Sequence, residues 1–328
     1  MSGFSKIPKT DRLRKRLFFQ YGKGDYTGAA RLGEALLRAH IRYSSTHTAA
    51  YEDDLYNVAL ACDAAGRTNR AIELYTDSIH RAFTRSGADL VVAARLTNLG
   101  RVLSVYEQHE AACRIFMQAL TIRKRFLPPT HLDLGDSLYN AGCALVRAGL
   151  GKDAIPALNS AMHIYTRNDS DNLINCLHII ASAYEQMGKY EEAFPFAEAA
   201  WRGLATGDGE DHHRAGYYLA GLYEAAGRHQ DACELYLDIM GWVERTVGCS
   251  NIGYINLATR AASRLAVIGE YRQSRDILQK ISKLVEGMVG RNNLTYSNCI
   301  RNLVVIHQHL GEWDEAEALL KEYGPPTT

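Results

Sequence analysis

The chain has 328 residues, 23% of them charged, with 37 Lys plus Arg against 37 Asp plus Glu and a formal net charge of zero. That balance gives no global basic field to draw in nucleic acid or an anionic membrane, and the length exceeds a usual single globular core. Seven cysteines without a CxxC pair exclude a disulfide framework and favour a reducing, cytoplasmic setting.

Residues 1–9 read as an N-terminal tail. The run Arg12, Arg14, Lys15, Arg16 then points its charges in several directions on a helix, as a solvated end cap does. Leu17-Phe18-Phe19 is far shorter than the apolar core of a signal peptide, and no segment approaches a membrane span. From Gly24-Asp25-Tyr26-Thr27-Gly28-Ala29 onward a pattern repeats. Residues 10–40 form a first, degenerate helical pair, and seven more follow, marked by the turn residues Gly66, Glu107, Gly149, Gly188, Gly227, Gly269 and Gly311, 39 to 42 residues apart. Behind each turn comes Ala71, Ala112, Ala154, Ala193, Ala232, Ser274 or Ala316.

The pair around Gly66 shows why. Leu55, Val58, Ala59 and Cys62 form the one-sided stripe of an amphipathic helix, Gly66 supplies a left-handed turn without a Cβ clash, and Ala71, Leu74 and Tyr75 face inward from the next helix. The small position before the turn returns as Gly100, Gly142, Ala181, Ala220, Ala262 and, less small, Val304, and the bulky position after it as Phe116, Leu158, Ala197, Tyr236, Leu278 and Leu320, with alanine the exception. A small residue facing a bulky one lets two helices approach closely. Glu107 replaces glycine, so that turn is expected to be less regular. The two shorter periods point to shortened linkers near 168–172 and 206–211. The last helix stops at Tyr323, leaving residues 324–328 as a C-terminal tail. A repeat at this period means an all-α stack of helical hairpins, none of which buries its apolar face alone.

Ala181, Tyr184, Gly188, Tyr190 and Ala193 resemble the tetratricopeptide repeat, and Ala119-Leu-Thr-Ile-Arg through Pro128-Pro-Thr-His131, followed by Ser137-Leu-Tyr-Asn140, is similar to its kinesin-light-chain subtype. The resemblance spans residues 24–321. It implies a right-handed α-solenoid, a single superhelical domain over 10–323 of about eight hairpins, with a concave groove lined by the first helix of each pair. By register, Asn57, Asn98, Asn140, Ile179, Tyr218, Arg260 and Asn302 face that groove, next to Tyr56, Tyr139, His178 and Tyr217. An amide side chain donates and accepts, so a ladder of asparagines suits the backbone of an extended peptide. In the family such asparagines hold peptides, which gives that role to Asn57, Asn98, Asn140 and Asn302, walled by Tyr56 and Tyr139. The alternative is that they bond between neighbouring hairpins. The centre departs from the ladder: His178, Glu185, Arg214, Tyr217, Tyr218, Glu224 and Arg260 form a charged, tyrosine-rich patch. Arg214 and Arg260 there either meet an anionic ligand group or pair with Glu185 and Glu224.

No phosphate loop, dinucleotide fingerprint, zinc-protease or nucleophile-elbow motif is present. Asp208-Gly-Glu-Asp-His212-His213 is the densest cluster of metal-capable side chains, but in a linker those acids also suit the following helix N-terminus. His307 reads as a packing histidine. The expected function is a non-catalytic adaptor for a protein or peptide, without cofactor, metal, nucleic acid or membrane. A sensor of a short peptide or small ligand, and an enzyme subunit using the charged centre, are the alternatives. An uncapped final hairpin points to homodimerisation through that end.

Overall fold

In the computed structural model residues 9–43, 46–204 and 209–323 are described; the tails 1–8 and 324–328 and Asp208 lie outside them. Among the described residues the secondary structure is helical throughout. The helices are α1 (Lys9–Gly22), α2 (Tyr26–Arg42), α3 (Ala49–Ala64), α4 (Thr68–Ser86), α5 (Leu90–Val105), α6 (His109–Phe126), α7 (Leu132–Arg147) and α8 (Gly151–Arg167). They continue as α9 (Asn172–Gln186), α10 (Tyr190–Gly203), α11 (Glu210–Ala225), α12 (His229–Thr246), α13 (Ile252–Val267), α14 (Tyr271–Val289), α15 (Leu294–Leu310) and α16 (Trp313–Tyr323). Odd-numbered helices are the first, or A, member of each hairpin and even-numbered ones the second, or B, member. The degenerate first pair is therefore a full hairpin, α1–α2.

The chain divides into two compact units at Met187/Gly188, the first holding α1 to α9 and the second α10 to α16. Within each, helices pack on their chain neighbours as an α-solenoid. In the first, successive A helices also touch, α5 to α7 and α7 to α9.

The turns carry the repeat. All six turn glycines from Gly66 to Gly311 have φ between 68° and 87°. The Gly66 amide donates to Asp63 and the Arg67 amide to Cys62, and the same pair of bonds closes the turns at Gly149, Gly227, Gly269 and Gly311. Glu107 adopts the same conformation, with φ 62°, and Gln108 still donates to Leu103 at 2.9 Å. The expected irregularity is absent: the surrounding helices impose the left-handed turn, and the glutamate bears its steric cost. Removing a Cβ from that conformation gains roughly 1–2 kcal/mol, and the extra freedom of glycine in the unfolded chain returns part of it, ~0.4–1 kcal/mol. Glu107→Gly is expected to stabilise the first unit by about 0.5–1 kcal/mol, read from the midpoint of urea unfolding.

The small-facing-bulky rule has a direct geometric basis. A Cβ added at Gly100 would lie 2.7 Å from the Phe116 ring, and one at Gly142 would lie 2.5 Å from Leu158. Of the two short periods, the first is spread over α8, its linker and the 15-residue α9. In the second, α10 has 14 residues where α6 has 18, and residues 206–208 of the linker expected to be short lie outside the described residues.

Candidate functional site

The A-helix face of the first unit presents Tyr56 and Asn57 on α3, Thr97 and Asn98 on α5, Tyr139 and Asn140 on α7, and His178 and Ile179 on α9, all half-buried. Asn98 is committed to the fold: its Nδ2 donates to the Tyr56 hydroxyl at 2.6 Å, joining one hairpin to the next. Tyr56 also meets Tyr75 edge-on at 5.8 Å and lies under the Arg95 guanidinium. Burial raises the Tyr56 phenol, with the Asn98 bond pulling the other way. Thr97 accepts from Arg123, which also reaches the Ser137 hydroxyl, so α5, α6 and α7 are stitched beneath the face. Burial lowers the Arg123 guanidinium. Tyr139 packs edge-on against Tyr165, whose hydroxyl donates to Asp136 at 2.7 Å.

Asn57 and Asn140 differ from Asn98. Among the described residues no protein group bonds their side-chain amides, and the same holds for Asn302, which is exposed on α15. The expected ladder thus separates into one amide used between hairpins and three with open donors and acceptors.

The charged centre divides between the units: His178, Ile179 and Glu185 belong to the first, Arg214, Tyr217, Tyr218, Glu224 and Arg260 to the second. In the second unit Arg260 donates to the Tyr217 hydroxyl at 2.7 Å and to Glu224 at 2.9 Å. The Tyr236 hydroxyl donates to the same Glu224 oxygen at 3.0 Å, and Arg264 approaches the other at 3.5 Å. The Arg260 guanidinium faces the rings of both Tyr217 and Tyr236. Burial pushes the Glu224 carboxyl up, but Tyr236, Arg260 and Arg264 outweigh it and hold the group below its ordinary value. Burial also raises Tyr236 well above the usual phenol range. Arg214 pairs with Asp211 on its own helix, exposed, and not with a neighbouring hairpin's glutamate.

Sequence reasoning missed that these two places are one device used twice. Tyr217 and Arg260 stand in the same register to Gly227 and Gly269 as Tyr56 and Asn98 do to Gly66 and Glu107. In both, a tyrosine of one A helix receives a donor from the next. The B-helix tyrosine beneath, Tyr75 or Tyr236, is fully buried as a residue. The acid three residues before the turn differs. Glu224 reaches Tyr236, whereas Asp63, one carbon shorter, is held by Arg101, and the Tyr75 hydroxyl has no protein partner among the described residues. A tyrosine at the bulky B-helix position with an acid before the turn is the signal in the sequence, since a buried phenol seeks an acceptor.

His212 and His213 are engaged in packing. His212 stacks on Trp201 and His213 on Trp242, with ring centroids 4.0 Å apart in the second pair, and each Nδ1 faces a backbone carbonyl. His307 is buried, with Glu312 at 2.6 Å.

Paired helices with a left-handed turn, stacked at this period, define a helical-hairpin repeat protein of the tetratricopeptide class. A tetratricopeptide repeat model matches residues 92–133 and 297–322, and a second such model matches 174–200; the chain carries tetratricopeptide repeats. Solved structures with this fold include nearly identical TPR-like repeats from Podospora anserina described as a kinesin light chain, with 18% identity, TM-score 0.53, and coverage of 59% of this chain and 95% of that one. A tetratricopeptide repeat protein from Parabacteroides merdae has 15% identity and TM-score 0.56, over 90% of this chain and 98% of that one. The apo form of RapI has 10% identity and TM-score 0.55, over 83% and 99%. No curated protein matches the chain in sequence. Proteins built from these repeats generally serve protein–protein interaction.

Proposed function

We propose that the chain is a non-catalytic scaffold that captures an extended peptide segment on the A-helix face of its first unit. The observation that carries this is the pair of open amides, Asn57 and Asn140, on either side of an Asn98 fixed by Tyr56. A side-chain amide that donates and accepts can engage both backbone groups of a peptide residue whatever its side chain. Tyr56 and Tyr139 wall the same strip with rigid aromatic surface that loses little entropy on binding. Asn302 offers an open amide on the second unit. Arg260 and Glu224 belong in this reading to the scaffold, because each is already satisfied by the other and by tyrosines.

A cytoplasmic setting accords with seven cysteines that are all free thiols, four of them buried. Among the described residues no helix is long and apolar enough to cross a membrane.

Peptides selected against the purified chain by display, then measured by calorimetry, test the proposal. A hydrogen bond contributes a net ~0.5–1.5 kcal/mol, so losing the equivalent of one at each position in Asn57→Ala/Asn140→Ala should weaken binding by about 5- to 150-fold with the melting temperature little changed. Undiminished affinity in that variant would refute the assignment.

A further inference from the structure

We propose that the B-helix side of the first unit carries a second docking site, a trough between α4 and α6 that receives an acidic amphipathic helix from a partner protein. The trough has a volume of about 820 Å³. Val92 and Leu96 of α5 form its floor, and Phe83 of α4 and Met117 of α6 stand on its walls. Phe83 is 52% exposed and Met117 45%, far more apolar surface than a wall needs for its own packing. A second trough of about 670 Å³ lies one repeat further on, between α6 and α8, with Leu134 and Leu138 in the places of Val92 and Leu96.

Charge selects the partner. The charged side chains lining the first trough are Arg114 and Arg125, and Lys124 lines the second; no carboxylate lines either. None of these three cations has an ion-pair partner among the described residues, whereas Arg70, Arg81, Arg85 and Arg101 nearby are all paired with acids. Helix α6 is therefore a cationic ridge between two apolar furrows, complementary to a segment with an apolar stripe flanked by Glu or Asp.

Backbone chemistry selects the conformation. The walls are helices whose peptide groups are bonded internally, and the Thr121 hydroxyl on the wall is turned to the Met117 carbonyl at 2.8 Å. Gln118 is the one open amide on the lining, and with Arg114 and Arg125 it could meet only a few groups of an extended peptide, whose remaining N–H and C=O groups would lose hydration at a cost of about 1–3 kcal/mol each. A helix brings its own backbone bonds and presents only side chains. This site shares no residue with the Asn57–Asn140 strip and stands independently of it.

The test uses the full chain and fluorescence anisotropy with a labelled model peptide of Leu and Glu, its leucines on one helical face. A Lys-for-Glu counterpart and a scrambled sequence of identical composition serve as comparisons. The Glu peptide should bind, the other two at least about tenfold more weakly, and added salt should weaken the interaction. Met117→Glu should reduce binding about tenfold or more, with Met117→Ala as the milder variant should the first unfold. Arg114→Glu/Arg125→Glu should shift preference to the Lys peptide, and Asn57→Ala/Asn140→Ala should leave binding unchanged. Equal binding of the three peptides, absence of binding, indifference to Met117, or loss in the asparagine variant would each overturn the proposal. So would a concentration-dependent dimer abolished by Met117→Glu, which would assign the trough to a second copy of this chain.

Discussion

An Asp54→Ala chain should lose about 3 kcal/mol of stability in its first unit, near the lower end of the range for breaking a buried ion pair by removing one partner. Asp54 is fully buried, and three helices converge on it. Arg14 of α1 donates from Nε at 2.6 Å and from Nη2 at 2.7 Å, a two-pronged grip, while His40 of α2 lies 2.7 Å from the second oxygen. The His40 ring is itself buried against Tyr51 of α3. Deleting the carboxylate removes the buried oxygen that faces His40 Nε2 in the core. Arg14 keeps Asp11 and a side chain 27% exposed, so part of its loss returns as hydration, which sets the value at the lower end. For a unit of this size the loss corresponds to roughly 6–12 °C in melting temperature. Circular dichroism melts and urea titration read it directly. A change below about 1 kcal/mol would mean that the triad does not hold α1 and α2 onto α3. Arg14→Ala and His40→Ala, taken with their double variant, apportion the network between its two arms.

That triad also shows where the sequence stops informing. The hairpins were legible because their cause is local: a left-handed residue, a small residue and a bulky one recur at fixed spacing, and each acts within its own pair of helices. The register of Tyr56, Asn98, Tyr217 and Arg260 was legible for the same reason. Arg14 was not. Within its own segment it is one cation in a run of them and reads as solvated, and only folding sets it against an aspartate 40 positions away. The interhairpin bonds of Asn98 and Arg260 lie between these cases. Their spacing of one repeat is visible, but whether an amide meets a ligand or the neighbouring tyrosine depends on how closely two helices pack. The basic ridge of α6 escaped notice because overall charge is zero, and its three cations stand out only once the paired arginines around them are seen to be paired.

Glu224→Ala should cost the second unit about 2–3 kcal/mol. The carboxylate accepts from Tyr236 and Arg260 and neighbours Arg264, so its removal strands a buried phenol and takes the counter-charge from two guanidinium groups, 38% and 18% exposed, that keep Tyr217 and Ser263. The exposed part of Arg260 recovers water, which keeps the loss below that of a fully buried pair. Glu224→Gln retains an acceptor for Tyr236 and should cost about 1 kcal/mol, the part carried by charge. The difference between the wild-type chain and Glu224→Gln must depend on pH in one direction. The folded carboxyl is held below its ordinary value of 4.5, so it contributes stability above that pH, and the contribution fades as pH falls through the lower folded value. The stability gap should therefore be full at neutral pH and close in acid. Glu244, which Lys280 and Tyr254 likewise hold down, titrates equally in both chains and cancels from the comparison. If instead Glu224→Gln left stability unchanged or raised it at neutral pH, the carboxylate would be poised for a ligand rather than for the hairpins. Arg260 would then return from the scaffold to the binding face.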